Sequence, residues 1–199
     1  MNKWDERYSE LKFSAYGKEP NDFLKEATKE LKPKSKILSI ADGQGRNGVY
    51  LASLGHDVTS MDSSEVGVAC STLLAEEKGV ELETIQADLN DFDMGEEKWD
   101  AIVSIFCHLP NDLREKVHNK IAKGLKKGGL FILEAYNPDQ LDMPGKGGPK
   151  DIELLFTTEM MAKDFSEFEL ITNQNTVRKI TEGVLHDGES STVQLLARK

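Results

Sequence analysis

The sequence predicts an α/β fold: a doubly wound, seven-stranded sheet, mostly parallel, with a C-terminal antiparallel hairpin. Three observations carry this. Short apolar runs alternate with helix-length segments from residue 36 onward, a glycine-rich turn joins the first run to the first helix, and two long β-rich runs close the chain. A single domain over 1–199 is expected, with a helical cover at 1–35, a ligand-binding half at 36–136, and a lid loop, helix and hairpin at 137–199.

The elements follow in order. Residues 1–35 are aromatic and charged without strand periodicity, and read as helical segments and loops lying over the sheet. Lys36–Ile40 is short, apolar and followed by glycines, which predicts a buried strand. Asn47–Leu54 has helical spacing and Gly55 stops it. Asp57–Met61 is the second strand. Ser63 or Ser64 caps a helix to about Lys78, closed by Gly79. Leu82–Ala87 and Ala101–Phe106 are the third and fourth strands, the latter apolar enough to be buried on both faces. Asn111 reads as the N-cap of a helix with the stripe Leu113, Val117, Ile121 and Leu125, expected to end through Lys126-Lys127 at Gly128-Gly129. Leu130–Ala135 is the fifth strand. Residues 138–149 hold three prolines and three glycines, a long irregular loop of the kind that carries function. A short helix at Thr158–Phe165 follows. Glu169–Thr181 and Thr192–Arg198 then flank an expected Asp187-Gly188 turn.

Composition narrows the function. The net charge of −10 repels phosphate backbones, so no nucleic-acid partner is expected. No stretch approaches the ~18 apolar residues of a membrane span, and the polar start Met1–Arg7 does not read as a secretory signal. Cys70 and Cys107 lie in apolar segments and are expected as reduced thiols in the cytoplasm. Charge is uneven: residues 74–100 carry ten acids and two lysines, residues 112–127 six bases and two acids. Solvated faces account for both. No metal site is expected.

The strongest local signal is Ala41-Asp42-Gly43-Gln44-Gly45-Arg46-Asn47-Gly48. Its glycines admit a ligand close to the backbone, and the helix behind offers N–H groups. Gly43, Gly45 and Gly48 satisfy the dinucleotide pattern literally, which alone is a weak signal. Asp62, 19 residues beyond Gly43 at the end of the second strand, can accept from both hydroxyls of a ribose; the competing reading is an N-cap. Asp42 discriminates among nucleosides. A carboxylate in the cradle opposes a pyrophosphate and favours an ammonium or sulfonium, unless it points outward.

The segments ILSIADGQGRNGVYLA, VTSMDSS, QADL, WDAIVSIFCHLP, LKKGGLFILEAY and VQLLARK together resemble the class I S-adenosylmethionine-dependent methyltransferases, closest to the small tellurite-resistance and thiopurine-type group. WDERYSE and YGKEPNDF resemble the first helices of this group, which cover the active site. Two positions depart from the pattern: Ser39 stands for an acidic residue and Ala41 for the first loop glycine. The resemblance implies a Rossmann-like fold and S-adenosylmethionine as cofactor, with S-adenosylhomocysteine as product. It places Ala41, Gly43 and Gly45 under the methionine portion, where Asp42 could replace the missing acidic contact. Asp62 would hold the ribose, and Asp88 with Leu89 would meet the adenine amino group. Phe106, Cys107 and His108 would lie near the reacting sulfur. Arg46, Asn47 and Ser63 complete the expected cofactor contacts.

His108 is the expected proton acceptor, against a structural histidine before Pro110. Trp4, Tyr8, Tyr16, Tyr136 and His186 are expected at the acceptor pocket, where aromatic faces attract a sulfonium; His186 also reads as a surface residue near a turn, as do His56 and His118. Cys107 has no activating neighbour in sequence and reads as core. Arg46 pairs with a ligand carboxylate or stays at the surface. The expected function is methyl transfer to a small molecule, a thiol, tellurite or similar soft nucleophile, by a monomer or homodimer. Two alternatives stand beside it. One is a protein that binds S-adenosylmethionine without turnover. The other is an NAD-dependent oxidoreductase, whose Tyr-x-x-x-Lys pattern occurs only as Tyr8–Lys12, ahead of the loop.

Overall fold

The computed structural model describes residues 3–199. Seven strands, β1 (Lys36–Ile40), β2 (Asp57–Asp62), β3 (Glu83–Gln86), β4 (Trp99–Ile105), β5 (Leu125–Tyr136), β6 (Glu169–Thr181) and β7 (Asp187–Arg198), form one sheet in the order β3-β2-β1-β4-β5-β7-β6. The first five are parallel, and β7 runs antiparallel between β5 and β6. The strand order reverses between β1 and β4, which opens a crevice at their carboxyl ends.

Alternation along the strands sorts the side chains. Leu38 and Ile40, Ile102, Phe131, Leu133 and Ala135 enter one core, against Val117 and Ile121 of α5 (Asn111–Gly124) and Met161 of α6 (Thr158–Asp164). Ile37, Ala101, Val103, Leu130 and Ile132 enter the other, against Leu24 and Ala27 of α2 (Asp22–Ala27) and Leu51 of α3 (Arg46–Ser53). Leu24 is fully buried, so the N-terminal cover is pinned by a core residue whose truncation to alanine costs about 2–5 kcal/mol. α1 (Lys3–Leu11) lies on α4 (Glu65–Lys78).

Local signals account for the helix ends. Ser64 caps α4, accepting from Gly67 N–H at 3.0 Å, and Gly79 closes it at φ +66°. Three expectations need correction. Asn111 is the first residue of α5, and Pro110, which has no side-chain cap bond, stands at its N-cap. α5 ends at Gly124 rather than Gly128, because Gly124 packs on Trp99 and Met94 and Leu125 pairs with Trp99 in the sheet. Lys126 then reaches Asp100, Nζ to Oδ1 2.8 Å, instead of finishing the helix. The hairpin turn lies at 182–186, with Asp187 and Gly188 already paired in β7. Backbone bonds from Val184 N to Ser14 O (2.8 Å) and Leu185 N to Ala15 O (3.1 Å) draw this turn onto the N-terminal cover.

Candidate active site

The carboxyl ends of β1, β2, β4 and β5 converge with α1 and the 182–186 turn. The loop leaving β1 alternates into left-handed backbone at Ala41 (φ +49°), Gly43 (φ +59°) and Gly45 (φ +85°). Gly45 has no room for a side chain: a Cβ there would lie 2.1 Å from Ser71 Oγ and 2.8 Å from its Cα. Gly43 donates its N–H to Asp62 Oδ2 (2.8 Å), and Ser64 N–H donates to Oδ1 (2.8 Å). Each carboxylate oxygen thus has one fixed bond and capacity for another. Burial pushes Asp62 up from the usual carboxylate range.

Asp42 is engaged on one oxygen. Its Oδ2 accepts from Gly48 N–H (3.0 Å) and Ser60 Oγ (2.8 Å), which ties it to the first turn of α3, while Oδ1 is buried without a hydrogen-bond partner among the described residues. Burial pushes it up to about 6, against the hydroxyls of Ser60 and Ser39 and the Gly48 N–H. Arg46 is neither a surface residue nor free for a ligand carboxylate. It is 7% exposed and pairs through Nη2 with Glu182 Oε2. Asn47 is likewise engaged, accepting from Asn21 N–H at 3.0 Å.

Beside Asp62 lies an open cleft of about 510 Å³ lined by Lys3, Trp4, Ser63, Gln86, Ala87 and Asp88. Asp88 is exposed there, while Leu89 is buried in the core. Over the glycine loop sits Tyr8: a Cβ on Gly43 would meet its hydroxyl at 2.6 Å. Trp4 stacks on Tyr8 at 6.1 Å, and Tyr8 meets Tyr16 edge-on at 6.2 Å. α1 is held in place by Asp5, whose Oδ1 accepts from Ser64 Oγ at 2.6 Å.

The end of β4 carries strain. Phe106 adopts φ +55°, a costly conformation for a bulky residue. The conformation stacks Phe106 on Tyr136 (4.7 Å) and sets it edge-on to His186 (4.6 Å). Cys107 is buried, and burial pushes its thiol up to about 12, which excludes an activated thiolate.

His108 does not stand ready as a base. Nδ1 bonds to Leu154 O at 2.8 Å, and Nε2 accepts from Tyr136 N–H at 3.2 Å. Both nitrogens therefore serve the backbone, and burial lowers the ring to about 4. His186, by contrast, is no surface residue. It is 8% exposed, packed on Tyr16 at 4.6 Å and Tyr136 at 5.4 Å. Its Nδ1 is buried without a hydrogen-bond partner among the described residues, and burial holds the ring well below its ordinary value. Tyr136 Oη and both polar atoms of the Gln44 side chain share that condition. Gly147 and Gly148 cover Tyr136 so closely that a Cβ on Gly147 would lie 2.0 Å from its hydroxyl. His118 is also buried, bonded to Asp164 Oδ2 at 2.7 Å, away from this site; His56 is half-buried.

Behind the aromatic cluster runs a buried charge network that sequence reasoning missed. Glu134, fully buried, accepts from Arg178 (2.9 and 2.6 Å), Thr192 (3.0 Å), Gln194 (2.9 Å) and Asn21 (2.5 Å). Arg178 also binds Glu182 at 2.8 Å, and Glu182 binds Arg46. Of its members only Arg46 was singled out in sequence; Asn21 could have been found as the N-cap of α2, where it accepts from Leu24 N–H at 3.0 Å.

Residues 37–129 match the family model of a methyltransferase domain. With the sheet order and the glycine loop, this match makes the chain similar to the class I S-adenosylmethionine-dependent methyltransferases. A protein of Haemophilus influenzae described as "Probable S-adenosyl-L-methionine-dependent methyltransferase TehB" is 31% identical over 122 residues, covering 60% of this chain and 42% of that protein. "Uncharacterized methyltransferase YbaJ" of Bacillus subtilis is 30% identical over 104 residues, 52% of this chain and 41% of that one. The chain thus spans less than half the length of these relatives. The crystal structure of TehB from H. influenzae superposes with a TM-score of 0.76 at 23% identity, over 98% of this chain and 67% of that one. A Burkholderia thailandensis 1,6-didemethyltoxoflavin-N1-methyltransferase, solved with bound 1,6-didemethyltoxoflavin and S-adenosylhomocysteine, gives 0.70 at 21%, over 98% and 82%. At these identities the structures speak for the fold. No helix among the described residues is long and apolar enough to cross a membrane.

Proposed function

We propose that the protein transfers a methyl group from S-adenosylmethionine to a small-molecule acceptor, a thiol, tellurite or similar soft nucleophile, in the cytoplasm. The observation that supports it best is a coincidence at one end of the sheet. Asp62 is fixed by Gly43 and Ser64, and the glycine loop and the aromatic cluster carry buried polar atoms without partners among the described residues on Gln44, Tyr136 and His186. Buried polar groups are normally satisfied, so such a set fits a ligand that completes it.

The residues present suit the cofactor. Asp62 takes the ribose hydroxyls through its remaining acceptor capacity, and Asp88 takes the adenine amino group at the open cleft. Ala41, Gly43, Gln44 and Gly45 run beneath the methionine portion, with Tyr8 and Trp4 over it. When bound, S-adenosylmethionine supplies an electrophilic methyl on a sulfonium. Phe106, Tyr16 and Tyr136 exclude water and present ring faces to the positive charge. Much of the acceleration then comes from aligning the acceptor and stripping its water. His186, kept neutral by burial, accepts a hydrogen bond from the acceptor at its unpartnered Nδ1, and the 138–149 loop closes the pocket over Tyr136.

Turnover of methyl-labelled S-adenosylmethionine against thiols, tellurite and selenite tests this. Labelled product with stoichiometric S-adenosylhomocysteine is expected for at least one acceptor. Tight cofactor binding with no transfer to any of them contradicts the proposal in favour of a binding protein.

A further inference from the structure

The segment after β3, residues 87–98, has no regular structure, yet it carries Asp88. Its path is fixed from α5. Lys120 Nζ donates to three backbone carbonyls, Leu89 O (3.0 Å), Asn90 O (2.9 Å) and Phe92 O (2.9 Å). An ammonium has three N–H groups, and all three are used on this one loop. One helical turn earlier, Lys116 Nζ donates to Asn90 Oδ1 at 2.7 Å.

The constraint passes directly to Asp88. Asn90 N–H donates to Asp88 Oδ1 at 2.7 Å, while Asp91 and Phe92 N–H donate to Asp88 O at 3.0 and 2.8 Å. Whatever holds residues 89–92 therefore orients the Asp88 carboxylate at the cleft it shares with Trp4 and Ser63. Asp88, Asp91 and Asp93 lie within six residues and repel one another. Loss of the central ammonium frees the loop electrostatically as well as by loss of bonds. A surface lysine contributing only charge would pair with a carboxylate. Lys120 instead organises main chain.

We propose that Lys120 is a positioning residue for base recognition: by gathering the 89–92 carbonyls it fixes Asp88 where the exocyclic amino group of adenine donates to it. This rests on the cofactor reading above. Asp88 held rigidly opposite the C6 substituent rejects a base with oxygen there, and Asp88 on a loosened loop adapts to it.

The test is calorimetric titration with S-adenosylhomocysteine and with S-inosylhomocysteine, in which oxygen replaces the amino group. The unaltered protein should prefer the adenine compound by about tenfold or more. Lys120→Met should lose most of that preference through weaker binding of the adenine compound. Lys120→Gln, which keeps one neutral donor, should fall between, and stands in if Lys120→Met does not fold. A merely structural lysine would lower the melting temperature and leave the ratio unchanged. Either folded variant keeping the full preference overturns the proposal. So does rapid hydrogen exchange at the Asn90–Phe92 amides of the unaltered protein, a result that needs no variant. Failure of the unaltered protein to bind S-adenosylhomocysteine at all would instead overturn the cofactor reading beneath it.

Discussion

At the carboxyl ends of β1 and β2, the groups of the candidate site are backbone N–H groups and one carboxylate, set by residues within 24 positions of each other, from Ala41 to Ser64. At the carboxyl end of β5 they are side chains gathered from the whole chain: Tyr16, Phe106, Tyr136 and His186, backed by Asn21, Arg46, Glu134, Arg178 and Glu182. The first region is specified by glycine spacing, since conformation there is a local matter. The second is held by buried polar pairing across more than a hundred residues, as in the Asn21–Glu134 bond. A local device tolerates a change elsewhere. A network of alternating charges fails as a unit.

The largest expected effect breaks the second region. Arg178→Met leaves the fully buried Glu134 carboxylate with neutral donors only. Removing one partner of a buried pair costs about 3–5 kcal/mol, to be read from urea unfolding. A loss under about 1 kcal/mol would show that the network is not the element holding that side together. Next comes the first region. Gly45→Ala forces a side chain into φ +85° and against Ser71 main chain, with an expected loss of about 2–4 kcal/mol and of cofactor binding.

A titration sharpens the contrast. Asp42 is raised from 3.8 to about 6 in the fold, so the native state holds its proton more tightly than the unfolded chain. Its contribution is fully present below 3.8 and is lost as pH rises through about 6. His108, lowered from 6.5 to about 4, acts oppositely over nearly the same interval. Asp42→Asn removes one side of this opposition. Its melting temperature should therefore rise more steeply with pH than that of the unaltered protein between about 4 and 6. Parallel profiles would contradict the burial assigned to Asp42. The smallest effect on stability belongs to Tyr136→Phe. Its hydroxyl has no partner among the described residues, so unfolding free energy should shift by about 1 kcal/mol or less while turnover on the identified acceptor drops.

Much of the fold was legible because its signals are local. Strand-length apolar runs, Ser64 as a cap, and Gly55 and Gly79 as stops all act within a few residues of themselves. The α5 terminus was not, because Gly124 answers to Trp99 and Met94 in another element. The hairpin turn was misplaced for the same reason: its N–H groups bond to residues 14 and 15. In the site, Asp62 and the glycine loop could be read from spacing. Asp42 could be located but not aimed, since its direction depends on Ser60 in the neighbouring strand. The hydrogen bonding of His108 and His186 was not legible, because neither position in sequence shows which nitrogen finds a backbone partner.

The central claim is that the glycine loop and Asp62 accept an adenosine sulfonium compound and not a dinucleotide. Isothermal titration calorimetry of the unaltered protein and Asp62→Ala, with S-adenosylhomocysteine and with NADH, tests it most directly. One S-adenosylhomocysteine per chain should bind, with affinity falling by about a hundredfold in Asp62→Ala and no uptake of NADH. Binding of NADH by a protein that ignores S-adenosylhomocysteine would contradict it.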